Sequence, residues 1–390
     1  MTHVGSGTSV FDGSELRVLL SENQITLETL DELFGCPGVG ADLLNGTRLP
    51  SLHEATLLGA LLRLDPGVLT GRKAPSLGVS LRLGSAGVQH DVARPVEHAT
   101  RLLAADRLAE DWGLAAPRQS LPDFPVSKTW HNKEAGRATA RRLRAYLALG
   151  SGPVGDLTAF VEGLGYPVEY RPLPENVHGI SVPERRKDRT AWTVLINSND
   201  GWGRQRFTLA HELSHIVYGD SGQFIVDRAE KSDIGPERIA DSFARHFLLP
   251  DEALGDILRD HGAIADRRAA WFLVADIMLT YGISRDATVI ALGDTELFAS
   301  DLLDACADVS VASIMEAAGR SEEWARMDQT WGQTYPSVRL TQCVLAGYGD
   351  GVLSLQTVAD VIAGGDRDDA AVQLRNAGWD IPPGPGAAGA

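Results

Sequence analysis

Residues 206–215 read RFTLAHELSH, and within them His211, Glu212 and His215 form the pattern HExxH. On a helix, positions i and i+4 share a face, so the two imidazoles can offer nitrogens to one ion. Glu212 stands about 100° further round at 3.6 residues per turn. There it lies beside such an ion without binding it and can take a proton from water. A zinc-type ion lowers the pKa of a water from about 15.7 to about 7 and polarises a carbonyl. Each residue type in the triplet therefore has a separate task in metal-assisted hydrolysis. The bland alternative, two histidines packed in a core helix, predicts nothing about a third ligand further along.

Such a ligand is available downstream. GPERIADSFARHFLLP (235–250) carries Pro236 where a helix begins, and Ile239, Ala240, Phe243, Ala244 and Phe247 recur at helical spacing. Glu237 falls in the first turn, where the helix dipole favours an ionised carboxylate. Ala240, Asp241 and Ala244 follow one turn on, small enough for close approach to the motif helix. Asp241 is placed to accept a hydrogen bond from the far nitrogen of a ligating imidazole. Asp220, Asp227, Glu230 and Asp233, in a polar stretch, and His246 are the rivals to Glu237 as third ligand. Tyr218, His178 and Arg206 are weaker candidates for oxyanion stabilisation, each with a structural reading beside it.

Working outward, AWTVLINS (191–198) reads as a strand and KEAGRATARRLRAYLALG (133–150) as an amphipathic helix, with Arg137, Arg141, Arg142 and Arg144 on its polar side. Helices, strands and the motif helix make residues 128–299 a small α+β domain. Residues 12–70 read as a compact helical module with a Gly turn between its second and third helices, loosely resembling a repressor-type helix-turn-helix. That stretch holds three Arg, no Lys and nine Asp or Glu, a poor composition for phosphate contacts, so DNA binding is set against docking or dimerisation. Residues 1–11 and 383–390 read as disordered tails, 71–127 as a connecting region and linker, and 300–382 as a C-terminal helical domain. The expected fold class is mostly α with a small α+β zincin-like domain flanked by helical domains.

Composition narrows the function classes. A net charge of −16 opposes polyanion binding by the chain as a whole. No run approaches the roughly 18–20 apolar residues that cross a bilayer, and the N-terminus lacks the parts of a signal peptide, so the expected location is cytoplasmic. Cys36, Cys306 and Cys343 are few and far apart, which argues against a disulfide framework or a cysteine zinc site.

The run INSNDGWGRQRFTLAHELSHIVYGD (196–220) followed by ERIADSFARHFLLP (237–250) resembles the ImmA/IrrE family of bacterial metallo-endopeptidases. In that family an RFTLAHELGH helix precedes one of the form ExxANxFAxxLLMP. Residues 133–295 fit the family's layout, and a repressor-like module ahead of the peptidase is common in it. The resemblance implies zinc, or a neighbour such as manganese, held by His211, His215 and Glu237, with Glu212 as the catalytic glutamate. It also implies a protein substrate, typically a helix-turn-helix repressor whose cleavage switches on stress, mobile-element or defence genes. Ser214 replaces the family's usual Gly, and Ile239, Arg245 and His246 replace more typical residues; none of these removes a ligand. The rival expectation is a regulatory binding protein, a transcription factor or repressor-docking module whose helical ends recognise a repressor or DNA and whose metal is structural or sensory; a structural ion would be closed by a fourth side chain. A homodimer is a further expected partner arrangement.

Overall fold

The computed structural model describes residues 16–17, 20, 26–34, 37–45, 80–83, 93–116, 118–119, 121, 133–174, 177–186, 189–219, 236–262, 264–295, 298–327 and 333–379. The chain divides into two compact units, Met1–Leu77 and Gly78–Ala390.

In the first unit, α1 (Leu27–Phe34) and α2 (Val39–Leu44) are joined through Gly38, whose φ of 86° suits a residue without a side chain. The carboxylate of Asp31 accepts the backbone N–H groups of Gly38 (2.7 Å) and Gly40 (2.8 Å), so an acidic side chain ties this turn. The helix expected over 51–64 lies outside the described residues.

The second unit runs β1 (Ser80–Leu83), α3 (Ala93–Asp111), α4 (Lys133–Tyr146), α5 (Leu157–Gly163), β2 (Val168–Arg171), β3 (Val177–Arg185), β4 (Thr190–Asn197), α6 (Trp202–Tyr218) and α7 (Pro236–Leu248). It continues through α8 (Asp251–His261), α9 (Arg267–Tyr281), α10 (Arg285–Gly293), α11 (Ser300–Ala307), α12 (Val311–Ala317), α13 (Ser321–Met327), α14 (Val338–Gly349), α15 (Leu355–Ile362) and α16 (Arg367–Asn376). The architecture is thus mostly helical around one small sheet, as the sequence led us to expect. Strand order is β1-β3-β4-β2; β1 and β4 flank β3 antiparallel, and β2 runs parallel to β4.

Alternation along β3 separates two buried faces. Gly179 turns toward Thr208 and Glu212 of α6, whereas Glu184, of opposite parity, pairs with Arg107 of α3. Because helices cover both sides, β4 carries a nearly unbroken apolar run rather than an alternating one. α3 also packs against α14 and α15, so this helix, from the stretch read as a connecting region, lies between the sheet and the C-terminal helices.

The motif helix α6 is gripped by α7, and α7 by α4. Gly136 on α4 allows the second contact: a Cβ there would come within 2.2 Å of the Ile239 carbonyl oxygen and 2.7 Å of the Phe243 nitrogen. Phe243 and Phe247, both fully buried, stack at 5.4 Å on the inner side of α7. Truncating either to Ala would cost about 3–5 kcal/mol. Arg144 departs from the polar side assigned to it. It is buried and donates to the carbonyls of Gly150, Gly152 and Phe247, tying α4 to the end of α7. Cys306 and Cys343 are buried thiols. Among the described residues no helix is long and apolar enough to cross a membrane.

Candidate metal centre

α6 starts after Gly201 in extended backbone and stops at Gly219, in the left-handed conformation that closes many helices. From Thr208 to Tyr218 every residue is buried, polar ones included. The imidazoles of His211 and His215, one turn apart, meet edge to face with Nε2 atoms 3.3 Å apart. α7 brings its first turn to the same point. Glu237 Oε2 lies 3.0 Å from His211 Nε2, and Oε1 lies 3.7 Å from His215 Nε2. One ligand atom from each of the three residues falls within 4.8 Å of the others.

These separations test whether an ion fits. A tetrahedral site with bonds of about 2.0–2.1 Å has edges of about 3.3 Å, and the observed 3.0, 3.3 and 3.7 Å bracket that value. Protonation makes the same point. His211 Nδ1 donates to Asp241 Oδ1 at 2.9 Å, since a carboxylate only accepts. In the neutral ring this leaves a lone pair on His211 Nε2, aimed at a carboxylate and at a second imidazole. A proton on that nitrogen answers one such contact, whereas a cation among the three groups answers all of them. Burial opposes ionisation of Glu237, but with protons on the imidazoles the His211 hydrogen bond and the charges of His211 and His215 outweigh it and hold the carboxyl below its ordinary value; a cation on the neutral rings would act in the same direction. With its side chain 54% exposed, Glu237 forms the open wall of the centre.

Glu212 has the opposite setting. It is fully buried, and among the described residues neither carboxylate oxygen has a hydrogen-bond partner. Burial pushes its carboxyl above the ordinary range, only partly offset by the neighbouring His215 and His211 and by the Ser181 hydroxyl, which lies near it without completing a hydrogen bond of good geometry. An unsatisfied buried carboxylate costs several kcal/mol, which is reasonable only where a function requires it. Gly179 of β3 lies directly against this group: a Cβ there would sit 2.5 Å from Thr208 Cγ2 and 3.0 Å from Glu212 Oε1. This position escaped sequence reasoning, because nothing local to Gly179 reports what packs on it.

The remaining candidates go elsewhere. His246 Nδ1 donates to the Ser242 carbonyl, with Nε2 3.6 Å from Asp251. Arg206 donates to the carbonyls of Val154, Gly155 and Gly282, a structural latch. Tyr218 packs edge-on against Phe243. His178 is held between Asp200 (2.8 Å) and Arg204 (3.1 Å). Asp220, Asp227, Glu230 and Asp233 lie outside the described residues.

Residues 164–292, which hold the whole constellation, match the family model of the IrrE N-terminal-like domain, a peptidase family. These residues are thus similar to the metallopeptidase domain of the ImmA/IrrE family. The chain is 30% identical over 155 residues to the radiation response metalloprotease IrrE of Deinococcus deserti, a match that takes in 37% of this chain and 51% of that protein. The chain thus spans about half the length of this curated relative. The matched stretch takes in α6, with His211, Glu212 and His215, and α7, with Glu237.

Proposed function

We propose that the chain is a zinc-dependent endopeptidase that cuts a specific intracellular protein. His211, His215 and Glu237 hold the ion, Glu212 is the general base, and Asp241 orients His211. The observation that carries this reading is the convergence of three lone-pair donors, at tetrahedral-edge separations, next to the fully buried carboxylate of Glu212. When bound, the ion polarises the scissile carbonyl and acidifies water. Glu212 accepts the proton of the attacking water and passes it to the departing amine. Asp241 keeps the His211 proton on Nδ1, so that Nε2 presents its lone pair toward Glu237 and His215. Gly179 leaves room for the Glu212 carboxylate to swing between the two ends of the bond being cut.

The substrate is proposed from the family alone: a helix-turn-helix repressor whose removal releases stress, mobile-element or defence genes. That the relative is a radiation response metalloprotease supports this direction. Manganese is the alternative ion, since donor type separates neighbouring metals weakly.

The test is to load the full chain with zinc, count metal per chain, and incubate it with repressors encoded near its gene. Glu212→Gln is expected to keep one ion per chain and to lose cleavage by about 100- to 10,000-fold. Undiminished cleavage by that variant would remove the mechanism. A fourth protein side chain on the ion would favour a structural centre instead.

A further inference from the structure

A peptidase must hold its substrate extended, because a chain in helix or turn hides the carbonyl to be attacked. An extended peptide exposes a row of N–H and C=O groups, and the usual protein answer is to add it to the edge of a sheet. In this domain the strand nearest the chemistry is β3, since Gly179 lies in contact with the Glu212 carboxylate. One side of β3 is committed, because β4 pairs with it continuously from Gly179 to Arg185. The other side, at the same residues, is where an extended peptide would join.

That side is taken by the chain itself. β1 runs antiparallel to β3, with Arg82 opposite Gly179, Leu81 opposite Ile180 and Ser80 opposite Ser181. We propose that β1 occupies the backbone-docking edge of the active site, so that the folded chain is autoinhibited and residues 80–83 must leave before a substrate strand can bind. This rests on the peptidase reading above and adds its regulation.

The pairing is built to be displaced. β1 has four residues and its register with β3 shifts between Arg82 and Leu83, whereas β3 and β4 stay in register over seven pairs. A short edge strand with an irregularity is the form of pairing that competing strands replace most readily. β1 is also the first element of the second unit, which begins at Gly78. It can therefore detach without unthreading any other element of that unit.

The experiment compares the zinc-loaded full chain with Leu81→Pro, in which a proline interrupts β1. A second variant carries Ser80→Gly, Leu81→Ser, Arg82→Gly and Leu83→Ser, which keeps the linkage but lowers strand propensity. The probe is a dansylated Leu-Ala-Ala hydroxamate, a metal-binding extended peptide, with hydrogen exchange of the 177–185 amides read in parallel. Both variants are expected to lose protection of those amides within 177–181 that face β1, with the amides facing β4 still protected, and to bind the probe at least tenfold more tightly than the parent chain. The synthetic peptide GVSLRLG, copied from residues 78–84, should compete with the probe on either variant. Parent and variants binding the probe equally, although protection has been lost, would overturn the proposal. So would unprotected 179–181 amides in the parent chain. A probe that binds none of the zinc-loaded forms would instead sink the peptidase reading, and the inference with it.

Discussion

Between α3 and β3, the carboxylates of Asp106, Glu110 and Glu184 face the guanidinium groups of Arg107, Arg118, Arg186 and Arg189. Between α6 and α7, the ionisable groups His211, Glu212, His215 and Glu237 face mainly one another. Both clusters sit in the interior of one unit, and both bury charge at a price in hydration. In the first, Arg186 alone touches all three carboxylates, so each has a guanidinium beside it, although Asp106 Oδ1 takes no hydrogen bond among the described residues and burial raises the Asp106 carboxyl. In the second, the Glu212 carboxylate has no hydrogen-bond partner among the described residues, and the groups around it are lone-pair donors. A cluster that neutralises itself explains itself as structure. A cluster of lone-pair donors fits instead a component from outside the chain, a cation between His211, His215 and Glu237.

That contrast can be broken at four points, in descending order of effect. Arg186→Ala would leave the buried Asp106 and Glu184 and the half-buried Glu110 short of a partner and should destabilise the fold by about 3–5 kcal/mol, while the folded fraction still binds one zinc. A urea midpoint that does not move, or zinc lost with it, would erase the distinction between the clusters. Gly179→Ala should leave zinc in place but lower turnover by about 100-fold, because displacement of a catalytic group by about 1 Å has that effect. Combining it with Thr208→Ser, which removes the methyl nearest the new Cβ, should restore part of the loss; no recovery would mean that the steric account is wrong.

Asp241→Ala should weaken zinc about 10- to 100-fold, the usual effect of removing the partner of a ligating imidazole. Titration with a zinc chelator measures this, and unchanged affinity would leave Asp241 without a role. The smallest effect concerns pH. Burial raises the carboxyl of Glu110, but Arg118 and Arg186 outweigh it and hold the folded value below the ordinary 4.5. Its stabilisation is therefore complete above about pH 4.5 and is lost as pH falls through the lower folded value. Glu110→Gln should flatten that part of the acid limb in urea melts between about pH 5 and 3, whereas an unaltered acid limb would show that Glu110 adds nothing.

The two clusters also differ in how far they could be read from sequence. The pair His211 and His215 was legible because four residues make one helical turn, and Glu237 because Pro236 marks the start of the next helix. Asp241 followed by one further turn. The arginine network of α3 and β3 was not legible, since its partners lie far apart in the chain and no local period connects them. Arg144 misled for a related reason. Its spacing places it on a polar face, and only the carbonyls of Gly150, Gly152 and Phe247, brought around it by folding, make its burial tolerable.

From sequence alone came the chemistry: which side chains can bind a metal, which can move a proton, and on which helices they stand. Hydrogen bonds within one turn settle those things wherever the helix ends up. Only the tertiary structure decided that α7 approaches α6 closely enough to bring a carboxylate to two imidazoles, through the Gly136 contact that draws α4 onto α7. It alone laid β3 against the glutamate and paired β1 with β3. Such contacts depend on the summed packing of elements distant in sequence, and no short window of residues carries that sum.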